Sequence, residues 1–331
     1  MRGDGMAMAL SAGRVGQPER RFARLFQREI RPQLGRLEAL RQRQRQRLVC
    51  EALITAAAAL GIAVLLLQVE PGYAVLGGLV AAACGVLLMQ KTQRRYLDEV
   101  RSSVMPAVCE AIGGVTHAVG PAPGLDLDRL ATIGLLPPHD RREIDDVFEG
   151  AHRNTVFAMA EVRLRCRRGR KRGTRTVFRG LVFVIETPKE IPTRILLAKD
   201  AGLLGNWAAG WIRSFRGMNR ISVPHTAFEA RFEAYADEPA QALKTVTPGL
   251  CAALVELADG HGGGPVQAAF AGRHFYLAMP KRRDQFRLGS LFRSVAQLEQ
   301  EAGRVLHDVQ QIHRLIDRLH GEPASLLTKS A

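Results

Sequence analysis

Two unbroken apolar runs stand out against an otherwise mixed chain. The first is Ala52–Leu67, ALITAAAALGIAVLLL, and Leu48, Val49 and Cys50 extend it if Glu51 snorkels. The second is Tyr73–Met89, YAVLGGLVAAACGVLLM. Neither shows an amphipathic stripe, so neither reads as the half-buried helix of a soluble bundle. Each fits the ~17–25 residues that span a hydrocarbon core, where a helix satisfies its own backbone polar groups. Gln68-Val69-Glu70-Pro71-Gly72 separates them, and Pro-Gly is a turn signal. The pattern predicts a transmembrane helical hairpin over 49–90, with spans at about 49–68 and 73–90. A signal peptide does not fit, because the first run begins about fifty residues in and a second follows. Alanines and glycines crowd both runs and would permit close helix approach.

Charge flanks the hairpin on one side only. Arg41, Arg43, Arg45 and Arg47 precede it; Lys91, Arg94, Arg95 and Arg101 follow it; the turn has neither Lys nor Arg. The positive-inside rule then puts both termini on the cytoplasmic side.

Upstream, residues 1–18 lack periodicity and are expected to be disordered. Residues 19–48 predict a basic amphipathic helix with Phe22, Leu25, Phe26 and Ile30 on one face, fit either for an anionic leaflet or for intramolecular packing. Residues 91–154 read as a helical membrane-proximal connector, broken or restarted near Pro106. Strand patterns begin at Thr155: Val156–Cys166, Thr174–Glu186, Ile195–Ala198 and Phe228–Tyr235. A helix from Pro239 or Pro248 to Leu257 follows, then a hairpin of Val266–Phe270 and His274–Ala278 around Ala271-Gly272-Arg273. The expected fold class is α+β: an N-terminal two-helix transmembrane hairpin, then a largely antiparallel-sheet cytoplasmic domain over 155–290, a long C-terminal amphipathic helix over 291–320 and a tail over 321–331.

Composition sharpens this picture. The 331 residues are 47% hydrophobic and 24% charged, which excludes wholesale disorder. A net charge of +15 calls for anionic partners such as lipid headgroups. Residues 1–47 alone hold twelve arginines against four carboxylates. Five cysteines at wide spacing give neither a paired disulfide framework nor a metal signature.

Candidate chemistry is sparse. His139, Asp140, Glu143, Asp145, Asp146, Glu149 and His152 form the one enzyme-like cluster. On a helix, Glu149 and His152 would share a face suited to a metal, but a second matching pair is missing. Cys166 lies among arginines, which would depress a thiol pKa, yet no histidine partner accompanies it. Residues 260–265, GHGGGP, lack the Lys-Ser/Thr of a phosphate loop. Two surfaces suit lipid or a partner: the hairpin tip at Arg167, Arg168, Arg170, Lys171 and Arg172, and the segment 203–220, with Trp207 and Trp211 four residues apart.

Several short motifs recur together: Gly134-Leu135-Leu136-Pro137 with Asp140 and Asp145-Asp146; Phe157 and Glu161; Phe178-Arg179-Gly180-Leu181; Phe228-Glu229-Ala230-Arg231-Phe232 with Tyr235; and Thr247-Pro248-Gly249-Leu250. As a set, spanning roughly 90–290, they resemble the bacterial membrane proteins of domain of unknown function 3137. The chain departs from that pattern at Gln241-Ala242-Leu243. The resemblance implies a membrane-bound protein of unestablished activity, partnered with a LemA-like protein, and supplies no catalytic residue, cofactor or metal. The expectation is a non-catalytic membrane anchor whose cytoplasmic domain binds a protein partner or the anionic leaflet. The rivals are a membrane-tethered metal enzyme built on 139–152 and, less favoured, a membrane tether for nucleic acid.

Overall fold

The computed structural model describes residues 17–68, 71–167, 173–198, 217–260, 266–281 and 286–320. These form two compact units, one of 112–286 with 305–320, the other of 19–111 with 287–304.

The second unit is built on long helices. Helix α1, Gln17–Leu25, passes through a π turn at Phe26–Ile30 and a 3-10 turn at Arg31–Gln33 into α2, Leu34–Leu67. Pro32 explains the irregular joint, since proline lacks the amide that an α-helical ladder needs there. Helix α3 runs from Pro71 to Ile112. It passes straight through Pro106, where the sequence suggests a break.

Phe22, Leu25, Phe26, Ile30 and Leu37 are buried, as are Val100, Val104, Met105 and Val108 of α3. Polar links run antiparallel between the helices of this unit: Arg21 with Glu110 at 3.7 Å, Arg36 with Glu99, and Thr92 with Glu51. The apolar face of the arm is thus taken up inside its own unit. Of the two roles its amphipathicity suggests, the structure has intramolecular packing.

The first unit is an antiparallel sheet in the order β1-β2-β3-β4-β6-β5, with β7 also paired to β4. The strands are β1 Val115–Val119, β2 Arg141–His152, β3 Thr155–Arg167, β4 Thr174–Ala198, β5 Asn219–Ile221, β6 Glu233–Ala236 and β7 Gln267–Pro280. Short helices α4 (Leu127–Thr132), α5 (Thr226–Glu229), α6 (Pro239–Thr245) and α7 (Pro248–Gly260) connect or flank them, and α8, Leu298–Leu319, follows a 3-10 turn at Val295–Gln297. Fold class is α+β, as the element order implies.

Alternation divides the sheet into two faces. Val147, Ala160, Val182, Tyr276 and Ala278 pack with Leu125, Leu127, Leu130, Leu135 and Leu136 of the segment around α4. Phe148 and Phe157 have the opposite parity. Phe148 meets Phe286, and Phe157 meets His313 of α8.

Three readings change. The connector at 91–154 is helical only to Ile112 before α4; Val115–Val119 and Arg141–His152 are strands. Thr174–Glu186 and Ile195–Ala198 are parts of one strand, β4. The hairpin around 271–273 is instead a bend within β7, because both halves pair with β4 and not with each other: Glu186 with His274, Ile191 with Gly272, Ile195 with Phe270. Gly272 takes φ +62 to make the bend, a conformation open to glycine. The extra residues of β4, including Pro188, bulge out of the ladder opposite it. Turn residues inside one bent strand look, in sequence, like turn residues between two.

Candidate membrane-contact site

Helices α2 and α3 each hold a stretch long and apolar enough to cross a membrane. Large apolar side chains there lie open: Leu53 is 65% exposed, Leu60 68%, Leu79 63% and Leu87 65%. Ala52, Leu67, Tyr73 and Met89, the limits expected for the two runs, all fall within these helices. Burial inside the unit does not account for the band.

The two helices approach closely because small residues line the seam. A Cβ on Gly85 would lie 2.0 Å from Thr55 Cγ2, and one on Gly77 would lie 2.6 Å from Leu66 Cδ1. The small residues thus let the two helices of the hairpin approach each other closely. At the charged end of the band, the Thr92 hydroxyl donates to the Glu51 carboxylate, at 2.8 Å to Oε1 and 2.9 Å to Oε2. Glu51 is therefore held against the neighbouring helix at the border of the apolar run.

Below that border sits a collar of cations. Arg43, Arg45 and Arg47 on α2, and Lys91, Arg94 and Arg95 on α3, are exposed and have neither an ion pair nor a hydrogen bond. Arg41 differs. It is half-buried, pairs with Glu38 at 2.5 Å and donates through Nη1 to the Leu291 carbonyl at 3.0 Å. Beside it, burial pushes the Tyr96 hydroxyl up to about 12. Arg41 thus serves the packing of its unit.

On the strands leading to the second basic surface, several arginines are paired. Arg163 and Arg165 reach Glu143 at 3.3 and 3.2 Å, and Arg179 reaches the buried Glu161 at 3.4 Å. The Arg167 amide donates to Asp140 at 2.7 Å. Arg168, Arg170, Lys171 and Arg172 lie outside the described residues, as do Trp207, Trp211 and the loop 261–265.

The acidic cluster does not assemble. Residues 141–152 are a strand, so Glu149 and His152, three apart, point to opposite faces. His152 Nε2 meets Asp317 Oδ1 of α8 at 2.8 Å and stacks on His313 at 4.1 Å. Glu149 instead lines a cavity of about 340 Å³ with Gly124, Glu186 and His274. Asp146 is fully buried and meets His117 Nε2 at 2.7 Å. Among the described residues, no group of three or more His, Cys, Asp or Glu could hold a metal. The Cys166 thiol is raised, not depressed: a hydrogen bond to Asp140 raises it most, and burial and the Asp140 charge add to that.

Three features escaped the sequence reading. The His152–His313–Asp317 contact and the 2.7 Å bond between Thr155 Oγ1 and His320 Nε2 join residues about 165 positions apart. Phe292, 67% exposed, gave no periodic signal.

No curated protein matches the chain. The crystal structure of the mycobacterial trehalose monomycolate transport factor A, TtfA, is similar at 11% identity and a TM-score of 0.30, covering 62% of this chain and 88% of that one. Residues 176–320 match the family described as "Protein of unknown function (DUF3137)". They hold the Phe178-Arg179-Gly180-Leu181 and Thr247-Pro248-Gly249-Leu250 motifs, and over this stretch the chain is similar to the DUF3137 family.

Proposed function

We propose that this protein is an integral protein of a bacterial inner membrane, anchored by the α2–α3 hairpin, with both termini and the α+β unit on the cytoplasmic side. Its role in this reading is non-catalytic: the sheet domain is held at the membrane to bind a protein partner there, for which the family resemblance suggests a LemA-like protein. The observation that carries the reading is the exposed apolar band at 49–67 and 73–88, bordered on one side by unpaired cations. An exposed leucine-rich surface of this size is costly in water, and cations near an anionic leaflet are worth about 1 kcal/mol each.

Two measurements test it. Alkaline carbonate washing should leave the full-length protein in the membrane pellet. A C-terminal phosphatase–fluorescent protein pair of fusions should report a cytoplasmic terminus. Release into the supernatant, or a phosphatase-active terminus, refutes the anchor or its orientation.

A further inference from the structure

One face of the sheet holds a feature that membrane anchoring leaves unused. Val147, Ala160 and Val182 pack with the leucines around α4. Two to four residues further along the same strands a cavity of about 340 Å³ opens. The register orders its lining: Glu149 lies opposite Ala158, Ala158 opposite Val184, and Glu186 opposite His274. By alternation these side chains share the face of Val147 and Val182. The floor is apolar, made of Ala158, Val184 and Val156, and Val156 is 58% exposed. An apolar cavity of this size with a few convergent polar groups has the character of a small-molecule site.

Its polar groups stand at two ends and are all acceptors. At one end Glu149 is half-buried, and its carboxylate has neither a hydrogen bond nor an ion pair among the described residues. At the other end Glu186 and His274 face each other across neighbouring strands. Arg273 is exposed and meets Glu186 only at 3.6 Å, which leaves room for a second partner. Burial, and after it Arg129, push the His274 imidazole below its ordinary value of 6.5. At neutral pH that ring is uncharged and accepts a hydrogen bond through one nitrogen. Glu149 and Glu186 are two strands and two residues apart, about 12 Å at Cα. That is too wide for one metal ion, and the three residues form no group that could hold one. Room is also kept between the ends. Gly124 has no left-handed φ that calls for glycine, yet a Cβ there would lie 3.6 Å from Glu149 Oε1 and 3.8 Å from Ala158 Cβ.

We propose that this cavity binds a linear aliphatic diamine of the polyamine class. One ammonium group bonds Glu149, the carbon chain lies over Ala158, Val156 and Val184, and the second ammonium sits between Glu186 and His274. Acceptors at both ends and hydrocarbon between them match a molecule with donors at both ends and methylenes between. A lysine side chain, with a single ammonium, would leave one end unanswered.

The test is equilibrium dialysis of the full-length protein, in a neutral detergent just above neutral pH, against radiolabelled cadaverine. Wild type should retain it saturably, one per chain, and should retain pentylamine and pentanediol at least tenfold more weakly. Glu149→Gln, Glu186→Gln and Gly124→Leu should each weaken cadaverine at least tenfold while melting within a few degrees of wild type. Should Gly124→Leu fail to fold, the two glutamate variants decide alone. Pentylamine held as tightly as cadaverine would assign the site to a single ammonium, such as a lysine side chain, and overturn the diamine. Retention unchanged by the glutamate variants, or no saturable retention by wild type, would overturn the site itself. The anchor has no part in this result, and carbonate washing tests it separately.

Discussion

The Thr92 hydroxyl donates to both carboxylate oxygens of Glu51, at 2.8 and 2.9 Å, across the seam between α2 and α3. Thr92 is buried and Glu51 half-buried, at the border of the apolar band. A carboxylate there needs a partner, since desolvation without one is expensive. Thr92→Val leaves Glu51 without its donor and should cost about 1 kcal/mol in thermal unfolding of the detergent-solubilised protein. Thr92→Ser should retain most of the stability. Equal melting of Thr92→Val and wild type would remove the bond from the account.

Gly85 depends on its neighbour in a similar way. A methyl group there would meet Thr55 Cγ2 at 2.0 Å, so Gly85→Ala forces the helices apart. The expected loss is on the order of 1–2 kcal/mol, typical of overpacking. Thr55→Ala in the same chain should recover part of it. The double-mutant cycle in one detergent decides; additive losses would mean that the two residues do not touch.

In the sheet, Gly180 is the glycine of the Phe178–Leu181 motif. Its Cβ would lie 2.1 Å from the Met279 carbonyl oxygen, a backbone atom that yields only if β7 moves. Gly180→Ala should therefore lower stability by about 2 kcal/mol, seen as a reduced melting temperature. An unchanged melting temperature would show that β4 and β7 are looser than their register implies.

His313 gives a pH prediction. Burial, then the nearby His152, push it down to about 4, from an ordinary value of 6.5. The unfolded chain therefore binds a proton that the folded chain refuses. Stability is fully present above about pH 6.5 and is lost as pH falls towards 4, on the order of 2–3 kcal/mol in total. His313→Asn should flatten the stability profile between pH 6.5 and 5, a window in which most carboxylates stay ionised. A profile parallel to wild type would refute a buried neutral His313.

Cys166 should react sluggishly, because Asp140 holds its thiol above the ordinary range. Asp140→Asn should speed its alkylation at pH 8 severalfold, followed by mass mapping of that one peptide. Equal rates would mean that the hydrogen bond does not form in solution.

Much of this protein was legible in its residues because the signals are local. Two long apolar runs, a Pro-Gly turn and one-sided arginines are each complete within a few tens of residues, and so are the two-residue alternations that predict β3 and the first half of β4. Connections between distant positions carry no such trace. Residues 141–152 read as part of a helical connector, but they pair as a strand, which sends Glu149 and His152 to opposite faces. Whether Gly272 closes a hairpin or bends one strand depended on β4 accepting both halves.

Sequence by itself determined the apolar hairpin, the placement of charge beside it and the α+β class, because hydrophobic length and periodicity act on neighbouring residues. Tertiary structure alone decided which cations are spent on partners, as Arg41 and Arg163 are, and which stay free, as Arg43 and Arg95 do. It also decided that Phe292 is exposed while Leu288 and Leu291 are buried. Pairing and exposure are set by what folds against a side chain, and those partners lie up to 250 positions away, as Leu291 does from Arg41.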